Sequence, residues 1–295
     1  MALRGTGLMF FAALALAAAV AAGPARACDA SVQCPVENGY YLVKTPPGWD
    51  GKSPLPVVVF FHGYGAEASE VVGDEPLAKA VNDLGAMLVA PGARNKNWSF
   101  PGKLMSERDD FKFVAAVLDD VEKRFPVDPQ RIMATGFSVG GSMTWYLACH
   151  LGERFSAFAP IAGAFWEPLP VNCPSGPVAL RHIHGTSDRT VPMAGRALRG
   201  GLYKQGDVME SFSRLKKRDG CTDEPVAEEA RDPMTCKTWS AKSCASGREV
   251  VLCLHPGEHE IEANWVADGF RWMDGLAKKG EAARAAVAKF AGAAK

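Results

Sequence analysis

The strongest constraint on this chain is its alternation of short apolar, β-branched runs with stretches of helical period, a pattern that specifies a mostly parallel sheet covered on both faces. The runs are Pro56 to Phe61, Met87 to Ala90, Ile132 to Thr135, Phe158 to Ala162, Val178 to His184 and Val250 to Leu254, each punctuated at its end by Gly or Pro. Between them Phe111, Val114, Ala115, Leu118, Val121 and Phe125 recur at three- and four-residue steps, which predicts an amphipathic helix ending near Pro126. Met143 to His150, Val208 to Leu215 and Trp265 to Leu276 read as further helices. The fold class is therefore α/β, with a mostly parallel central sheet and helices on both faces. The polar, Cys-bearing segment 220–247 reads as a disulfide-braced excursion before the last strand. There is no internal repeat and no Pro- or Ser-rich linker, so residues 28–276 are expected to form one catalytic domain, followed by an Ala/Lys-rich tail over 277–295.

The N-terminus pairs Arg4 with an apolar run from Leu8 to Ala22, a Gly23-Pro24 break and a small-x-small Ala25-Arg26-Ala27, the organisation of a cleaved export signal over residues 1–27. That run is short for a bilayer span, and no other segment is long enough, so no stable membrane anchor is expected. All eight cysteines lie beyond the expected cut, an even number suited to a secreted or periplasmic protein. Cys28 with Cys34 closes a natural short loop, and Cys149 with Cys173 ties a helix end to a later loop. Of the remaining four, Cys221 with Cys244 and Cys236 with Cys253 are the favoured pairings. No C-x-x-C occurs, which disfavours a metal role. Lys+Arg and Asp+Glu both number 33, so the chain lacks the basic excess of a nucleic-acid binder.

Gly136-Phe137-Ser138-Val139-Gly140 is a G-x-S-x-G pentapeptide set directly after one apolar run and before a helical stretch, the context in which that motif exposes a nucleophilic serine on a sharp turn. A serine needs a base and an orienting acid, in the chain order Ser, Asp/Glu, His. Asp188, in His184-Gly185-Thr186-Ser187-Asp188, follows a strand on the edge where ligands bind. Of His255 and His259, the first belongs to the end of the last strand and the second lies further into the loop, so His259 is assigned as the base. His182 and His184 share one strand face and read as packed, hydrogen-bonded residues. The amides of Val139 and of Tyr64, in His62-Gly63-Tyr64-Gly65, are the expected oxyanion donors, with the glycines permitting close backbone approach.

Taken together, His62-Gly63-Tyr64-Gly65, the Asp109-Asp110 pair, Val127-Asp128-Pro129-Gln130-Arg131-Ile132, Gly136-Phe137-Ser138-Val139-Gly140-Gly141 and His184-Gly185-Thr186-Ser187-Asp188 resemble the secreted feruloyl esterase and polyhydroxybutyrate depolymerase group of α/β-hydrolases, from about Gly39 to Met273. The resemblance implies the α/β-hydrolase fold and places that group's serine, acid and late histidine on Ser138, Asp188 and His259. Where the group's histidine segment runs close to G-G-G-H-x-W-P, this chain has Pro256-Gly257-Glu258-His259-Glu260-Ile261.

The expected reaction is hydrolysis of a small or oligomeric ester through an acyl-Ser138 intermediate, without cofactor, metal or partner protein. Activity is expected to fall as pH drops through about 6 to 7, because the base must be neutral. Trp166, Phe165 and Trp265 are expected to wall an aromatic acyl pocket, with Trp98 as a further candidate. A feruloyl-type ester on plant polysaccharide is the first substrate reading and hydroxybutyrate oligomers the second. A secreted peptidase or an acyltransferase using the same three residues remain as alternatives. Asn97-Trp98-Ser99 is a glycosylation acceptor only in a glycosylating host.

Overall fold

A computed structural model describes residues 28–101, 108–240 and 242–293, so the segment read as an export signal lies outside the described residues. The strands are β1 (Cys34–Val36), β2 (Gly39–Lys44), β3 (Leu55–Phe61), β4 (Met87–Pro91), β5 (Val127–Phe137), β6 (Ala157–Ile161), β7 (Leu180–Gly185), β8 (Arg196–Leu198), β9 (Tyr203–Gln205), β10 (Ala227–Arg231), β11 (Met234–Trp239) and β12 (Val250–His255). The α-helices are α1 (Ala68–Gly73), α2 (Glu75–Asn82), α3 (Asp110–Arg124), α4 (Val139–His150), α5 (Val208–Arg218) and α6 (Ala263–Ala293). Ten strands form one sheet in the order β1-β2-β4-β3-β5-β6-β7-β12-β11-β10, and β8 pairs with β9 as a separate hairpin. From β4 to β12 the sheet is parallel, with antiparallel strands at each edge.

Strands buried on both faces are apolar along most of their length, yet successive side chains still point opposite ways. Val57, Val59 and Phe61 of β3, with Met87 and Val89 of β4, enter the core layer that also holds Phe113, Val114, Val117, Leu118 and Val121 of α3. Val58, Phe60, Leu88 and Ala90 enter the opposite layer, against Leu77 and Val81 of α2 and Val266, Phe270 and Met273 of α6. Asp109 caps α3 by accepting from the Phe111 and Lys112 amides, both at 3.1 Å. The helical period of α3 thus fixes which face it lays on the sheet.

All four expected disulfides form: Cys28–Cys34, Cys149–Cys173, Cys221–Cys244 and Cys236–Cys253. Cys236 and Cys253 are directly opposed across β11 and β12, which explains that pairing. The excursion is correspondingly more regular than expected, since β10 and β11 extend the sheet beyond β12. Replacing both Cys236 and Cys253 by Ala is expected to lower unfolding stability by about 3 kcal/mol, the loop-closure contribution of a short covalent ring. Urea midpoints of the oxidised wild type and the double variant measure it.

The closing helix does not end near Leu276 but runs on to Ala293, because Ala, Lys, Glu and Arg dominate that stretch and no proline interrupts it. Among the described residues no helix is long and apolar enough to cross a membrane.

Candidate active site

Strand β5 and helix α4 meet at Ser138, whose φ of 59° and ψ of −121° lie outside the regions that L-residues ordinarily populate. Such a conformation persists only where its surroundings fix it. The Ser138 amide donates to the Ile161 carbonyl at 3.1 Å, and the Ser142 amide donates to the Ser138 carbonyl at 2.9 Å. A Cβ on Gly136 would stand 2.6 Å from the Phe61 carbonyl oxygen, and one on Gly140 only 1.9 Å from that same oxygen. The two glycines of the pentapeptide are therefore required by β3, which runs beside the turn. Gly163, after β6, has the same standing, because its Cβ would lie 2.4 Å from the Ser142 amide nitrogen.

Asp188 and His259 are brought together by a second close approach. A Cβ on Gly185 would lie 2.3 Å from the Glu258 carbonyl oxygen, so the end of β7 and the loop after β12 touch backbone to backbone. There the Thr186 amide donates to His255 O at 2.8 Å and the Ser187 amide to Gly257 O at 3.1 Å. This seam sets His259 Nδ1 at 2.7 Å from Asp188 Oδ2. A carboxylate accepts only, so Nδ1 carries the hydrogen and Nε2 is left with the lone pair a base requires. Asp188 Oδ1 accepts from the Thr190 and Val191 amides at 2.8 and 2.7 Å. Burial pushes the Asp188 carboxyl up, but the His259 hydrogen bond and the Val191 amide outweigh it and hold it below its ordinary value. The His259 ring packs 4.6 Å from Phe137, the residue before Ser138. No hydrogen bond between Ser138 and His259 is formed among the described residues, and in ligand-free sites such bonds are often long until substrate binds.

Three further histidines have structural places. His255 ends β12, fully packed, with its ring 4.8 Å from that of Trp265. His182 and His184 form a buried column from the Pro160 carbonyl to the Val191 carbonyl, with contacts of 3.0, 3.1 and 2.8 Å. Burial drives both imidazoles toward the neutral form. His184 Nε2 also lies 3.6 Å from Asp188 Oδ2, so this column backs Asp188.

Tyr64 and Val139 line the same cavity as Ser138. The Val139 amide opens helix α4 and has no carbonyl four residues back to bond. The loop that carries Tyr64 is pinned from behind by Trp98, whose Nε1 donates to the His62 carbonyl at 2.9 Å and whose ring meets Phe61 edge-on at 5.2 Å. Trp98 is therefore a core residue rather than a pocket wall. The glycines of this loop act differently from the reading above. A Cβ on Gly63 would make only ordinary contacts at 3.7 Å, whereas Gly65 is needed for its φ of +83°.

The cavity at Ser138 encloses about 440 Å³. Trp166 lines it, with Nε1 donating to Ser142 Oγ at 3.3 Å. Phe165 does not, and this corrects the expectation. Adjacent residues of an extended segment point opposite ways, and Phe165 turns into the core against Trp145 and Tyr146, with centroids 5.2 and 5.0 Å away. Trp265 is corrected likewise, since its place is behind His255 rather than in the cavity. The wall that sequence reasoning missed is the β8–β9 hairpin, which contributes Arg196, Leu198, Tyr203 and Gln205. Its signal was the alternation in Arg196-Ala-Leu198 and Tyr203-Lys-Gln205 around Arg199-Gly200-Gly201.

A serine elbow on a mostly parallel sheet, with acid and histidine on the following loops, defines an α/β-hydrolase. The chain belongs to the esterase family whose model, described as "Putative esterase", matches residues 40–194, more than half of its length. It is 28% identical over 233 residues to feruloyl esterase B of Piromyces equi, a match covering 76% of this chain and 42% of that protein. It is 26% identical to feruloyl esterase D of Neurospora crassa, covering 74% of this chain and 73% of that one. The chain thus spans less than half the length of the first relative and nearly three quarters of the second. Among solved structures, an acetyl xylan esterase from Aspergillus awamori superposes with a TM-score of 0.55 at 15% identity, covering 79% of this chain and 94% of that one. A phospholipase/carboxylesterase from Dyadobacter fermentans does so with a TM-score of 0.55 at 16% identity, covering 81% and 98%. These two likenesses are of fold.

Proposed function

We propose that this protein is a secreted serine carboxylic-ester hydrolase of feruloyl-esterase type, with Ser138 as nucleophile, His259 as general base and Asp188 as the acid that orients it. The observation that carries this reading is the 2.7 Å contact between His259 and Asp188 beside a strained serine that opens on a 440 Å³ cavity. His259 takes the Ser138 proton as Oγ attacks the ester carbonyl, and the oxyanion forms against the Val139 and Tyr64 amides. His259 then gives its proton to the leaving alcohol, and water releases the acid by the same steps in reverse roles. Trp166 offers a flat apolar surface for an aromatic acyl group. Four disulfides support an oxidising destination.

Hydrolysis of methyl ferulate, short p-nitrophenyl esters and hydroxybutyrate oligomers tests the substrate order. Dominant ferulate release supports the feruloyl type. Turnover of hydroxybutyrate oligomers alone would move the assignment to the depolymerase reading.

Asp188→Asn is expected to lower kcat by about 10⁴-fold, because the amide can present a hydrogen to His259 and disturb its tautomer. The sign of its pH effect follows from the depressed native carboxyl. The stability this group contributes is full above its unfolded value near pH 3.9 and is lost as pH falls through the lower native value. The stability gap between wild type and Asp188→Asn should therefore narrow only below about pH 4. Chemical denaturation and kcat measured across the same pH series check both statements.

A further inference from the structure

We infer that the cavity beside Ser138 selects esters that carry a carboxylate, recognised by Arg196 and Arg199 of the β8–β9 hairpin; this rests on the ester-hydrolase reading above. In an antiparallel pair, side chains alternate between two faces and opposed residues share one. Arg196 is opposed to Gln205 and Leu198 to Tyr203, and all four line the cavity. Ala197 and Lys204, opposed to each other, occupy the outer face. At the tip Arg199 adopts a φ of 46°, followed by Gly200 and Gly201 at 66° and 93°, and Arg199 too lines the cavity. A non-glycine residue in this region is uncommon and is held only where the surrounding structure demands it.

The hairpin is fastened to the loop that carries Trp166. The Glu167 amide donates to Lys204 O at 2.8 Å and the Gly206 amide to Phe165 O at 2.9 Å. A Cβ on Gly195 would lie 2.1 Å from the Gln205 carbonyl, so the hairpin base packs closely. Arg196 Nε donates to Oε1 of the buried Gln205 at 3.3 Å, which orients the guanidinium along the cavity wall.

Charge decides what this wall accepts. No Asp or Glu is among the described residues lining the cavity. The nearby acids are engaged elsewhere: Glu167 faces Lys204 at 3.8 Å, Asp207 caps α5 through the Glu210 amide, and Asp188 holds His259. Two guanidiniums thus stand beside Trp166, Leu198 and Tyr203, with no carboxylate facing them in the cavity among the described residues. An ester with an apolar body and a carboxylate supplies the missing charge, and Arg binds that group through a planar fork of donors. Both arginines are exposed at the rim, so the gain is screened and sized for selectivity rather than tight binding.

The test uses two pairs of substrates on the full mature protein. One pair is the p-nitrophenyl ester of glutaric acid with its second carboxyl free or methyl-capped. The other places the charge on the alcohol side, as a caffeate ester of a hydroxy acid with its carboxyl free or methyl-capped. In at least one pair, kcat/KM should favour the free carboxylate by about tenfold, through KM, and the preference should shrink in about 0.5 M NaCl. Arg199→Gln should reduce the ratio within that pair, and Arg196→Gln with Arg199→Gln should bring it to about one. Lys204→Gln removes a charge from the outer face of the same hairpin and should leave the ratio intact. Equal or poorer use of the free carboxylates in both pairs, or a ratio that survives the double variant, overturns the inference while leaving ester hydrolysis standing. Absence of turnover even on the capped esters defeats the hydrolase reading and this one with it.

Discussion

Ser138→Ala is expected to lower kcat for short p-nitrophenyl esters by about 10⁴- to 10⁶-fold, with residual turnover coming from the oxyanion donors and substrate binding alone. The size of the effect follows from the chemistry. Without Oγ there is no acyl-enzyme, and His259 and Asp188 have nothing to activate except a water that the site was not shaped to hold. The variant should keep the wild-type fold, because the Ser138 contacts that hold the turn are made by its backbone. Loss of one methylene-linked hydroxyl also removes little packing. Stopped or steady-state assays with a coincident thermal melt separate lost chemistry from lost structure. A variant with more than about a hundredth of wild-type kcat would mean that another group performs the attack.

Gly140→Ala carries the largest expected effect on stability. Its Cβ would stand 1.9 Å from the Phe61 carbonyl oxygen and 2.6 Å from that of His62, both backbone atoms. Relief requires the start of α4 to move away from β3, and the start of α4 is anchored through Ser142 to the Ser138 carbonyl. Overpacking in cores ordinarily costs about 1 to 3 kcal/mol. A contact this short against backbone in the middle of the sheet should exceed about 4 kcal/mol and leave little soluble protein. Gly73→Ala provides the comparison, since a Cβ there meets nothing within 4 Å and lies in α1. It should leave stability unchanged or raise it by up to about 1 kcal/mol. Urea denaturation of both variants measures the difference, and Gly140→Ala with a wild-type midpoint would contradict the packing described for the elbow.

What could be read from residues alone was governed by burial on both faces. Strands such as β3 and β4 are continuous apolar runs because each face meets its own core layer, and the Gly or Pro after each marks its end. Ser138, Asp188 and His259, the residues proposed for the site, stand out in the sequence for the same reason, since each follows one of those strands. The edge strands were not. Every residue of β10, Ala-Glu-Glu-Ala-Arg, is exposed, and only its backbone pairing with β11 makes it a strand. Helix α4 hid its period because it is buried all around from Val139 to Cys149, so no polar face marks its turns. The choice between Phe165 and Trp166 depended on the parity of a short extended segment, which is set by its pairing with Gln205 and not by local composition. The hairpin of β8 and β9 was missed because three-residue strands carry too little alternation to stand out.

Covalent trapping with a fluorophosphonate ester, read by mass spectrometry of the intact protein and of its peptides, tests Ser138 as a nucleophile activated by His259. A single phosphonyl adduct is expected on the peptide containing Ser138, with no adduct in Ser138→Ala and much slower labelling in His259→Gln, where the base is gone. An adduct on another residue, or equal labelling of Ser138 without His259, would contradict a nucleophile activated by this histidine and its carboxylate.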